Sequence, residues 1–178
     1  MEFLRDQLMS GTIFSLFSFC WFGWAQEKPR PNWRLGLGLA SSAALLLSIF
    51  SGVLSYYNWD APSILNNATH FGWYLLFAIG EFIVALIGAL ILIKLKRSDD
   101  IAPWISFIVL THFIGLKFVF QDSSLFVLAG LMLLVLLLSY PLAARFKVAR
   151  SAIIGIGNGT VLFLFAIINL SLAFIFEH

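Results

Sequence analysis

Six apolar runs, each long enough to cross a lipid bilayer, constrain this chain more than any other feature. A bilayer core of about 30 Å takes about 20 helical residues at 1.5 Å rise. The runs are roughly 8–25, 33–57, 71–93, 102–120, 123–143 and 151–176. They are apolar on every side rather than alternating, which excludes the strands of a membrane barrel. Composition agrees. The 178 residues are 61% hydrophobic and only 11% charged, with a mean hydropathy of +0.95. A soluble domain carries about 25% charged residues. The connections, at 26–32, 58–70, 95–101, 121–122 and 144–150, are too short to hold a further folded unit. The expected fold class is all-α: a single six-helix membrane domain spanning residues 1–178.

Charge sets the orientation, because Lys and Arg are retained on the cytoplasmic side. Lys28, Arg30, Arg34, Lys94, Lys96, Arg97, Arg145, Lys147 and Arg150 fall in or directly beside the first, third and fifth connections, nine of the eleven basic residues. The acidic Glu2, Asp6, Asp60, Asp122 and Glu177 fall on the other side. Both termini are therefore expected outside. The first run, with its basic cluster following it, reads as an uncleaved anchor rather than a secretory leader. Trp24, Trp33, Trp104 and Tyr140 are expected near the inner interface, and Tyr56, Tyr57, Trp59, Trp73 and Tyr74 near the outer one.

The function classes narrow by elimination. A net charge of +2 from scattered residues argues against nucleic acid. A single cysteine excludes an intramolecular disulfide and a thiolate metal site. With one histidine inside the spans, a haem pair is disfavoured, so no cofactor and no metal are expected. Hydrolase and metalloprotease motifs do not occur, and the reading leans away from an enzyme. The basic face should attract anionic lipid headgroups. The small-residue faces Ala44/Ser48/Ser51/Gly52/Ser55, Ala85/Gly88/Ala89 and Gly155/Gly157/Gly159 mark helix contacts, within this chain or in a homo-oligomer. The Leu-rich fifth run is expected to face lipid at the periphery, with Pro141 kinking or ending it.

Ionisable groups inside a membrane are costly and usually face a partner or a cavity. Glu81 lies ~14 Å and His112 ~12 Å from the outer side, on consecutive antiparallel runs, so they can meet near the midplane. Tyr74 shares the Glu81 face. Lys117 lies nearer the outer surface and can guard a mouth there or snorkel. It cannot share a face with His112, five residues away. Asn158 lies in the Gly155–Gly159 run, as an ion ligand in an unwound turn or, in the preferred reading, bonded across a tight crossing. Asn169 is read in the same way. The candidate ligand and proton site is thus Glu81, His112, Lys117, Tyr74 and Asn158. Two functions fit: a small-solute or proton-linked transport component, with Glu81 titrating, or a non-catalytic protein binding lipid or a partner, with Glu81 tying helices together.

The stretches Trp21–Pro29, Asn58-Trp59-Asp60, Glu81-Phe82, Ala102-Pro103-Trp104 and His112-Phe113 together resemble a group of small bacterial multi-pass membrane proteins of unknown function. The resemblance implies a bacterial cytoplasmic membrane and no particular activity.

Overall fold

The computed structural model describes residues 3–176; Glu2, Glu177 and His178, named above, lie outside them. Six α-helices account for most of these residues: α1 (Leu4–Trp24), α2 (Arg34–Tyr57), α3 (Ala68–Lys94), α4 (Ile101–Phe120), α5 (Ser124–Phe146) and α6 (Arg150–Phe176). There is no strand among the described residues. Five helices, α2 to α6, are long and apolar enough to cross a membrane. The first helix does not join that set. Its 21 residues include Arg5, Asp6, Gln7, Ser10, Thr12, Ser15 and Ser18.

That polarity follows from its position. The α1 helix packs between α2 and α6, and it faces protein rather than lipid along much of its length. Its hydroxyls are satisfied there. Ser15 donates to its own helix at Gly11 O (2.6 Å), and Ser18 donates across to Gly159 O of α6 (2.7 Å). A buried hydroxyl without a partner would be costly, so these bonds permit serines at positions with no exposure. The α2 stripe is a packing face as well: Ser41 donates to Phe19 O and Ser48 to Thr12 O, both on α1.

The remaining order in space is α6 against α5, α5 against α4, and α4 against α3, with α4 also touching α6. The third helix therefore leans chiefly on α4 and has no buried residue at all. This corrects the expectation that the Leu-rich fifth run is the peripheral one. Helix α5 buries Leu125, Leu128, Ala129 and Met132 in the core, and it continues past Pro141 to Phe146. Uniform apolarity hid the difference, because a lipid-facing surface and a protein-facing one are equally greasy in a membrane.

The three basic connections meet at one end. Arg150 pairs with Asp100 (2.9 Å), Arg30 donates to Phe146 O (3.1 Å), and Ala149 N–H donates to Lys28 O (3.4 Å). At the opposite end the buried Asp6 accepts from Ser63 Oγ and from Ile64 N–H. Arg5 donates to Trp59 O and Asn66 Oδ1. Asn67 caps α3 by accepting from Thr69 and His70 N–H. The clustering of basic charge seen in the sequence is thus a property of the fold.

The glycine run of α6 forms an unbroken helix, which removes the unwound-turn reading. A Cβ on Gly155 would stand 2.5 Å from Trp21 O, and one on Gly159 would stand 2.7 Å from the Phe22 ring. One on Gly157 would collide with Val135 of α5. These glycines let α1 and α5 approach the α6 backbone.

Candidate functional site

Helices α3 and α4 place the Glu81 carboxylate and the His112 imidazole in contact. Glu81 is the midpoint of α3, about 20 Å from either helix end. Its Oε2 lies 3.1 Å from His112 Nδ1, and the two side chains are only 17% and 10% exposed. The same nitrogen stands 3.2 Å from the Phe77 carbonyl. A carbonyl accepts only, so Nδ1 carries hydrogen and is shared between Phe77 O and the carboxylate. That leaves the second ring nitrogen and the second carboxylate oxygen without a hydrogen bond among the described residues.

The pair is packed into place from three sides. Gly115 leaves room for the Phe77 ring one turn from His112. Trp104 lies over Gly88 and donates to Ala85 O, so the small residues of α3 seat a tryptophan of α4. Trp104, in the first turn of α4, thereby ties two helices together. Near the loop end, His70 bonds Val119 O at 2.7 Å.

A cavity of about 190 Å³ opens on one side of the pair. Its walls come from α1 (Ser10, Ile13, Phe14, Phe17), α3 (Tyr74, Ala78, Glu81, Phe82) and α4 (Val109, His112, Phe113, Leu116, Phe120). Leu125 of α5 and Leu162 of α6 complete it. Because α1 and α3 are held apart over α4, the cavity is a cleft between them. The exposed rings of Phe17 and Phe82 form its rim. A second recess of about 240 Å³, between α3 and α4, touches Glu81 and His112 from the other side. The Glu81–His112 pair is therefore a common wall between two spaces. A third, polar cavity of about 420 Å³, lined by Asp6, Ser63, Asn67 and His70, lies at the loop end and shares Phe120 with the cleft.

Of the five residues expected to form the site, the structure unites three. Tyr74, Glu81 and His112 line one cleft. Lys117 does not guard it. Its ammonium sits 4.6 Å from the Phe118 ring and 5.1 Å from the Phe126 ring, and it is not among the residues that line the cleft. Five residues of helix turn it away from His112. Asn158 is also elsewhere, fully buried, donating from Nδ2 to Ser106 Oγ of α4 at 2.9 Å. This is the interhelical bond of the preferred reading. Asn169 corrects its own expectation: it donates to Phe165 O within its own helix.

What sequence reasoning missed is the wall supplied by α1. Ser10, Phe14 and Phe17 recur at helical spacing, and that periodicity was the available signal. The tyrosine hydroxyl at Tyr74 makes no hydrogen bond among the described residues, so a carboxylate oxygen, an imidazole nitrogen and a phenol face the cleft with capacity to spare. The arrangement can hold and pass a proton and can receive one small molecule. It contains no group of three metal-ligating side chains among the described residues. Compared with protein-family models, with curated proteins and with solved structures, the chain matches none.

Proposed function

We propose that this integral membrane protein is a small-solute, proton-linked transport component built on Glu81 and His112. The observation that supports this reading most is the Glu81–His112 contact, halfway along α3, standing between two cavities. Ionisable residues at membrane depth face a partner or a cavity and mark ion and substrate pathways and proton relays. Glu81 is the proton-carrying carboxylate. His112, with its Nδ1 hydrogen fixed by Phe77 O, is the group that orients the carboxylate and exchanges a proton with it. Tyr74 offers a hydroxyl to the solute. The basic end faces the cytoplasm of a bacterial cell, where Arg97, Arg145, Lys147 and their neighbours contact anionic lipid.

Infrared difference spectroscopy of the protein in lipid nanodiscs tests this reading without any ligand. A carboxylic acid band that titrates across a pH series is expected. It should be absent in Glu81→Gln and shifted in His112→Gln. A wild-type spectrum with no titrating carboxyl band, or one unchanged in Glu81→Gln, refutes the assignment.

A further inference from the structure

The proton-linked reading leaves the solute unnamed, and the walls of the cleft narrow its chemistry. Six aromatic side chains line it: Phe14, Phe17, Tyr74, Phe82, Phe113 and Phe120. They come from α1, α3 and α4, so they ring the space instead of stacking along one helix. Phe14 meets Phe113 edge to face at 5.7 Å, and Tyr74 meets Phe120 in the same way at 6.0 Å. Ring faces carry negative charge density and attract cations, most strongly where water is excluded. Among the described residues, the one acidic group in this ring is Glu81, and the one basic group is His112. Helix α1 contributes only Ser10 as a polar side chain, while α5 and α6 contribute a leucine each. Among the described residues, no lysine or arginine lines the cleft.

Size and access narrow the class further. An apolar cavity of about 150 Å³ takes one benzene ring. The 190 Å³ here takes a ring, or an equivalent alkyl body, with a compact charged head. The rim residues Phe17 and Phe82 are 41% and 64% exposed, on the flank of the bundle between α1 and α3. That flank is a lipid-facing surface in a membrane, so the route into the cleft suits a solute that partitions into the bilayer.

We propose that the cleft binds a small lipophilic organic cation, an aryl- or alkylammonium, which reaches it sideways from the bilayer. Its charged head lies among the aromatic rings beside Glu81. The inference rests on the proton-linked reading of the same site and adds the class of solute to it. The Glu81 carboxylate is the counter-charge, so a bound cation takes the place of a proton on that residue and the two compete.

The test compares two probes of the same shape, phenyltrimethylammonium and the neutral tert-butylbenzene, by equilibrium binding to the protein in nanodiscs, corrected for empty nanodiscs. The cation should bind about tenfold or more tightly than its neutral counterpart. It should weaken as pH falls. Glu81→Gln should remove the preference and the pH effect together. Phe82→Leu and Phe17→Leu keep bulk on the exposed rim, where folding is not at risk. They should weaken the cation severalfold more than they weaken tert-butylbenzene. Equal binding of the two probes overturns the proposal and makes the cleft an apolar pocket for neutral solutes or acyl chains. Tighter binding of an anion of similar size, benzenesulfonate, overturns it as well. The infrared titration separates the two levels. A titrating Glu81 with no preference for the cation refutes this inference alone, whereas a silent Glu81 refutes the reading beneath it.

Discussion

Gly155→Ala should destabilise the protein, while Gly130→Ala should stabilise it, although the two substitutions are chemically identical. A methyl on Gly155 would lie 2.5 Å from Trp21 O and 2.8 Å from Ala25 N and Cβ. Two of those three atoms are backbone and cannot rotate away. The separation is about 0.9 Å short of ordinary contact, so α1 must retreat by about that much. Overpacking of this kind costs about 1–3 kcal/mol. The same retreat stretches the 2.7 Å bond from Ser18 to Gly159 O beyond useful range, a further ~0.6 kcal/mol in a membrane setting. The gain in helix propensity returns roughly 1 kcal/mol. Gly130, with nothing within 4 Å of its added methyl, receives only that gain. Because both variants change the unfolded chain alike, their difference, about 2–4 kcal/mol, reports the crossing. Equilibrium unfolding in mixed dodecyl maltoside and SDS micelles, followed by circular dichroism, measures it. If Gly155→Ala proves as stable as Gly130→Ala, the close approach of α1 to α6 is wrong.

Two further outcomes concern the ends of the bundle. Asp6→Asn replaces an acceptor that takes bonds from Ser63 Oγ and Ile64 N–H, each charge-assisted and worth about 1.5–3 kcal/mol. Hydrogen exchange should accelerate across residues 58–67 and not along α6; unchanged exchange there removes Asp6 as the anchor of that loop. Lys147 closes α5 in the left-handed region, at φ 57°, where a side chain costs about 1–2 kcal/mol. Lys147→Gly should therefore raise the unfolding midpoint and Lys147→Val should lower it. The reverse order would show that the α5 terminus is built differently.

The helices were legible because the membrane requires them. A chain with no water to satisfy its backbone must close its hydrogen bonds within each apolar segment, so length and hydropathy nearly suffice. The basic connections were legible for the same reason, since their charge has one side on which to lie. Neighbour relations were not. Leu-rich α5 and Leu/Ile-rich α3 look alike in composition, yet one lies in the core and the other rests on α4. The signal that separates them is the aromatic and glycine register between helices, Phe77 over Gly115 and Trp104 over Gly88, which needs both partners to be seen at once. The site followed the same rule. Glu81 and His112 stood out because charge in a membrane is conspicuous, and their meeting followed from the antiparallel order of α3 and α4. Phe14 and Phe17 were inconspicuous among 19 phenylalanines until α1 was placed opposite them.

The way α3 is held also determines what a Glu81 variant can reveal. Four contacts with α4 run along it. His70 bonds Val119 O near the loop end, Phe77 fills the space at Gly115, Glu81 meets His112, and Trp104 covers Gly88 toward the basic end. Three of these do not involve the carboxylate, and they flank it on both sides. Glu81→Gln conserves the shape of the side chain and keeps an oxygen able to accept from His112 Nδ1. With Gln at 81, His112 can remain a neutral imidazole donating from Nδ1, so the variant buries no unpaired charge. The substitution therefore removes the titratable charge while leaving the rest of the α3–α4 contact in place. Loss of cation preference in that variant, with an unchanged unfolding midpoint, is a statement about the chemistry of the cleft and not about the integrity of the bundle.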